Sequence, residues 1–84
     1  MNSVEIEGGL VKDPEVGFTG SGRAWARFTL AVSDVVYDPQ TKRDAVATLF
    51  ISCQAWGSKA EEIMTADPHK GDKLYVRGKL DQSE

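Results

Sequence analysis

Leu49-Phe50-Ile51-Ser52-Cys53-Gln54-Ala55-Trp56 alternates strictly: Leu49, Ile51, Cys53 and Ala55 form one set, and Phe50, Ser52, Gln54 and Trp56 form the other. Period-2 alternation marks a strand with one face on a core, so the first set is expected inside and the second toward solvent. Two large aromatics then stand on the wet face. Packing alone does not put Phe and Trp there; a subunit, a loop or a ligand with flat apolar surfaces would have to cover them.

The same arrangement recurs on either side of this stretch. Ala24, Ala26, Phe28, Leu30 and Val32 form an inward set, leaving Trp25, Arg27, Thr29, Ala31 and Ser33 outward. Leu74, Val76, Gly78 and Leu80 read as the inner face of another strand, with Lys73, Tyr75, Arg77 and Lys79 outside. Aromatic rings interleaved with Arg and Lys suit unpaired nucleic acid, because every base offers a π-face and the phosphates attract the cations.

Eighty-four residues make one small domain, expected to span 1–84, with 40% hydrophobic residues as in an ordinary globular chain. No apolar run approaches a membrane span, and Met1-Asn2-Ser3-Val4-Glu5-Ile6-Glu7-Gly8-Gly9 lacks the features of a signal peptide. A cytoplasmic location is expected. The formal net charge of −3 argues against a nucleic-acid binder by itself. Distribution counts for more than the sum. Glu61, Glu62 and Asp67 share one segment and Glu5 and Glu7 lie on the first strand, whereas Arg23, Arg27, Lys42, Arg43, Lys70, Lys73, Arg77 and Lys79 flank the aromatic face; this predicts an acidic back and a basic front.

The first strand, Val4 to Val11, ends at Lys12-Asp13-Pro14, because proline removes a ladder donor. Glu15 to Thr19 extends the ladder briefly before a Gly20-Ser21-Gly22 turn. The second strand runs from about Arg23 to Val36, long enough to bend and serve two parts of a closed sheet. Tyr37 to Asp44 reads as a polar loop, and Ala45 to Trp56 as the third strand. Ser58 and Glu61 have the spacing of a capping box for one helix, Lys59 to Ala66, which Asp67-Pro68 ends. Lys70-Gly71-Asp72 turns into the last visible strand. The fold class is mainly β: a five-stranded Greek-key barrel of the OB type, four strands visible, with one short helix between strands three and four.

Met1-Asn2-Ser3-Val4, Gly8, Leu10, Lys12-Asp13-Pro14-Glu15, Gly22, the run Ala26 to Ser33, Phe50, Trp56-Gly57, Ala60-Glu61, Lys70-Gly71-Asp72, Tyr75-Val76 and Gly78-Lys79-Leu80 resemble the bacterial single-stranded DNA-binding protein family. The similarity covers nearly the whole chain in order and spacing. It implies that Phe50 and Trp56 are stacking positions, with the family's third position falling at Val36 and Tyr37 adjacent to it. Departures are visible too. Gly17-Phe18 stands where Arg-Tyr is common, Ser52 and Ser58 stand where basic residues are frequent, and Trp25 replaces a small aliphatic residue. Relative to the family, the chain stops at Glu84 before the last barrel strand and the acidic tail, so it is expected to be C-terminally incomplete.

The expected stacking residues are Phe50, Trp56, Trp25 and Tyr37, and the expected phosphate contacts are Arg27, Arg23, Lys42, Arg43, Lys70, Lys73, Arg77 and Lys79. Each has a plainer reading: a subunit or loop covers the aromatic, or water solvates the cation. No nucleophile is paired with a base, so no enzyme is expected. His69 is alone, without ligands at metal spacing, and Cys53 reads as a small inward hydrophobe; no metal or cofactor is expected. The expected partners are single-stranded DNA, further copies of the chain as a tetramer or dimer, and replication or repair proteins if a tail exists. The alternative is an interaction module on the same fold with weak nucleic-acid binding.

Overall fold

The computed structural model describes residues 2–80. Its elements are β1 (Val4–Leu10), β2 (Glu15–Phe18), β3 (Ala24–Asp38), β4 (Arg43–Trp56), the helix α1 (Ser58–Ala66) and β5 (Lys73–Gly78). All strand pairs are antiparallel. Long β3 organises them. One of its edges pairs with β4 from Trp25 to Asp38, while the other pairs first with β2 at Ala24 to Arg27 and then with β1 at Leu30 and Ala31. β1 pairs onward with β5. The result is a curled antiparallel half-barrel of OB type with α1 between β4 and β5.

Alternation fills the inside of the curl. Leu10, Phe28 and Leu30 are buried, with Ile6, Val32, Cys53, Ile63, Leu74 and Val76 packed around them. A second cluster consists of Ala24, Ala26 and Ala60, where alanines on β3 and α1 bring the helix close to the sheet, sealed by Ala55, Ile63 and Met64. Backbone groups tie the ends together: Gly57 N–H donates to the Ala24 carbonyl at 2.9 Å, and Gly71 N–H to the Leu10 carbonyl at 2.9 Å. Replacing Leu30, which is fully buried, with alanine removes apolar contacts and leaves a void, a loss of about 2–5 kcal/mol.

Several sequence expectations need correction. Glu15 to Phe18 does not extend the β1 ladder; it is a strand of its own, folded back on β3 by the turn in which Thr19 N–H donates to the Arg23 carbonyl at 2.8 Å. Five strands are therefore present among the described residues. Tyr37 lies in β3, opposite Asp44, because the β3–β4 connection is shorter than the polar run suggests and closes with Lys42 at a positive φ of 57°. Ser58 makes no capping bond: Gly57, with φ 63°, is the N-cap, and its carbonyl accepts from Glu61 N–H at 3.0 Å. Leu49 and Leu80, expected inside, are 56% and 65% exposed. Leu49 does not reach the core cluster although its cross-strand partner Val32 does, and Leu80 lies past the end of β5, its backbone bonded to the Asn2 side chain.

Candidate nucleic-acid interface

Directly opposed residues in an antiparallel pair point to the same side, so the register reads out the convex face. Trp25 opposes Trp56, Arg27 opposes Gln54, Thr29 opposes Ser52, Ala31 opposes Phe50, and Tyr37 opposes Asp44. Along β3 the levels of Trp56, Phe50 and Tyr37 are thus residues 25, 31 and 37, a regular six-residue step. Each step is about 20 Å of strand. Phe50 is 69% exposed, Tyr37 63% and Trp56 44%. A line of open rings on a two-stranded ribbon is an arrangement on which successive bases of a flexible strand can stack.

The other ladders extend this face sideways. Lys73 opposes Gly9, Gly9 opposes Ala31 and Ala31 opposes Phe50, so one row crosses four strands from a cation to an aromatic over a floor of small residues. At the other end Gly17 opposes Trp25, which opposes Trp56. There the cations meet the rings directly: the Arg23 guanidinium lies 5.0 Å from the centre of the Trp56 ring, and that of Arg27 5.4 Å from Trp25. Such contacts are worth roughly 0.5–1 kcal/mol at exposed sites and hold the cation beside the ring. Thr19, Trp25, Ala26, Arg27, Gln54 and Trp56 line a concavity of about 220 Å³.

The charge distribution differs from the expected two-faced one. Glu5, Glu7 and Glu15 share the convex face with the cations, because they oppose Arg77, Tyr75 and Arg27 in register. Arg27 Nη2 donates to Glu15 Oε2 at 2.8 Å, and Arg77 Nη2 and Nε donate to Glu5 Oε1 at 2.9 and 3.2 Å. Exposed pairs like these add little stability but do offset the local positive charge. Lys70 is set apart in the turn before β5, its backbone N–H donating to Asp13 Oδ1 at 2.7 Å. Lys42 and Arg43 sit at the ribbon's tip, where Arg43 opposes Asp38 and so belongs to the side away from Tyr37, and Lys79 is exposed beyond β5. Arg23, Lys42, Arg43, Lys73 and Lys79 make no salt bridge among the described residues.

Sequence reasoning missed Thr19 and Gln54 in the concavity and the close approach of Trp25 to Gly17. The β2–β3 register was the missing signal. Among the described residues no three His, Cys, Asp or Glu side chains converge on one point, and no helix is long and apolar enough to cross a membrane. His69 Nε2 lies 3.8 Å from Asp67 Oδ2. Burial pushes the Cys53 thiol above its ordinary pKa.

The family model described as Single-strand binding protein family matches residues 1–84. The chain belongs to that family. Proteins of the single-strand binding family bind DNA and are not enzymes. A single-stranded DNA-binding protein of Fusobacterium nucleatum is 37% identical over 84 residues, covering 100% of this chain and 53% of the relative. One of Clostridium perfringens is 46% identical over 81 residues, covering 95% and 49%. The chain spans about half the length of the curated relatives it matches. Among solved structures, a deletion mutant of the single-stranded DNA binding protein from Thermus aquaticus superposes with a TM-score of 0.86 at 26% identity, over 100% of this chain and 41% of that one. The Plasmodium falciparum SSB complex with ssDNA shares the fold, with a TM-score of 0.82 at 20% identity over 94% of this chain and 69% of that one.

Proposed function

We propose that the chain binds single-stranded DNA without sequence preference and protects it during replication, recombination and repair. The observation that carries this reading is the six-residue spacing of Trp56, Phe50 and Tyr37 on one open face, in a chain of the single-strand binding family. Bases stack on these rings and on Trp25. Arg23, Lys42, Arg43, Lys73 and Lys79 meet phosphates. Arg27 and Arg77 do so only after release from their carboxylates, and Lys70 lies outside the path. The chain acts as a homo-oligomer, a tetramer or dimer, because the outer edge of β5 is unpaired among the described residues and open strand edges invite pairing. Residues 1–84 act as one OB domain located at the nucleoid in the cytoplasm, and replication or repair proteins are further partners of the full-length protein.

Anisotropy of labelled oligo(dT), against a duplex of the same length and across a salt series, tests this reading. The expected result is saturable binding to the single strand, weakening with salt, and much weaker binding to the duplex. Equal affinity for both, or none for either, sinks it. The carboxylates on the convex face favour a second reading, a protein-interaction module with weak DNA binding, which gains in the latter case.

A further inference from the structure

Gly17 is half-buried in β2, and the three atoms nearest to a Cβ built on it all belong to one ring: Cζ2, Cε2 and Nε1 of Trp25, at 2.7, 2.9 and 3.1 Å. The indole has therefore swung sideways off β3 and lies on the backbone of its cross-strand partner, in space that any side chain would take. Arg27, tied down by Glu15, stands over that ring. With Trp25 leaning toward β2, its partner Trp56 on the opposite side of β3 is separated from it by the concavity over which Gln54 and Thr19 stand.

We propose that Gly17 is a positioning residue that holds open a groove between Trp25 and Trp56, and that the groove takes one unpaired nucleobase with an indole on each side. The proposal rests on the single-stranded DNA reading above. It goes further in making two tryptophans and a glycine, on three adjacent strands, one site. Without a side chain at residue 17 the indole has a fixed seat, and less freedom is lost when a base arrives. With a side chain there the indole moves, because a ring at the end of a side chain yields more readily than a backbone, and the space left to it is the groove itself. The strand remains. Gly17 has no positive φ and its closest neighbours are atoms of this ring rather than backbone, so alanine there displaces the indole without unfolding β2.

A double-mutant cycle with Gly17→Ala and Trp25→Val tests the proposal, with oligo(dT) affinity and near-ultraviolet circular dichroism of the free chain as readouts. Gly17→Ala is expected to weaken oligo(dT) binding roughly five- to tenfold, the lower range for loss of one stacked base. It should alter the tryptophan dichroism while leaving the melting temperature in place. In the Trp25→Val background, where no indole needs the seat, Gly17→Ala should have no further effect on either readout. Wild-type affinity for Gly17→Ala, or equal weakening in both backgrounds, overturns the proposal and leaves the single-stranded DNA reading standing. Failure of the wild-type chain to bind oligo(dT) overturns both.

Discussion

Gly8 and Gly9 are neighbours on β1 with opposite tolerances. A Cβ on Gly8 falls 2.6 Å from the Ala31 carbonyl oxygen of β3, a backbone atom that cannot turn aside, whereas one on Gly9 meets nothing within 4 Å. Gly8→Ala should therefore cost about 1–3 kcal/mol, as overpacking does, and Gly9→Ala should leave the urea midpoint close to wild type. Equal midpoints for the two variants would show that β1 and β3 are not so closely joined. At Cys53 the consequence is chemical. Burial raises its pKa, so less thiolate is present at a given pH, and the thiolate is the reactive form. Alkylation by iodoacetamide at mildly alkaline pH is expected to be slower in the native chain than in urea. Equal rates would place Cys53 on the surface. Its inward side was legible from alternation alone; the intolerance at Gly8 was not, because it comes from a strand far away in sequence.

Among the elements, the β3–β4 ribbon separates what pattern can reveal from what it cannot. Period-2 alternation put Leu49 to Trp56 on the sides that the register gives them, since a strand has only two. It did not show where the sheet stops being covered. Leu49 shares a side with Ile51 and Cys53 but is exposed, and so is Val36, the distal apolar residue on that same side of β3. The helix start was misread for a related reason: the capping-box spacing is present, but Gly57 at positive φ takes the cap position and leaves Ser58 inside the helix. Because the ribbon's rings are exposed, Phe50→Ala and Tyr37→Ala should each weaken oligo(dT) binding by about 1–3 kcal/mol with no loss of thermal stability. Leu30→Ala should show the reverse pattern at the level of folding, a large drop in melting temperature. A large stability loss in the aromatic variants would make those rings structural.

For the whole molecule, charge and aromaticity must be read together. A net charge of −3 is compatible with binding only if local cations act beside the rings, and the pairing of Arg27 and Arg77 with Glu15 and Glu5 leaves fewer of them than the sequence suggests. Removing a free cation should flatten the dependence of log K on log salt by about 0.7 for each phosphate no longer neutralised. Arg23→Ala, and Lys42→Ala with Arg43→Ala, should do so; Arg77→Ala should not. A slope change for Arg77→Ala as large as that for Arg23→Ala would mean that the carboxylates do not hold their partners. Phe50 and Trp56 were visible in the sequence because they broke the expected polarity of an outer face, while the place of Tyr37 in their line emerged only from the β3–β4 register and the carboxylate partners from the β1–β5 and β2–β3 registers. The central claim, that bases lie on this line of rings, is tested most directly by tryptophan fluorescence of the Trp25→Val variant, in which Trp56 alone reports. Titration with oligo(dT) should quench Trp56 in step with binding measured by anisotropy of the labelled strand; binding without any change in Trp56 emission would contradict the account.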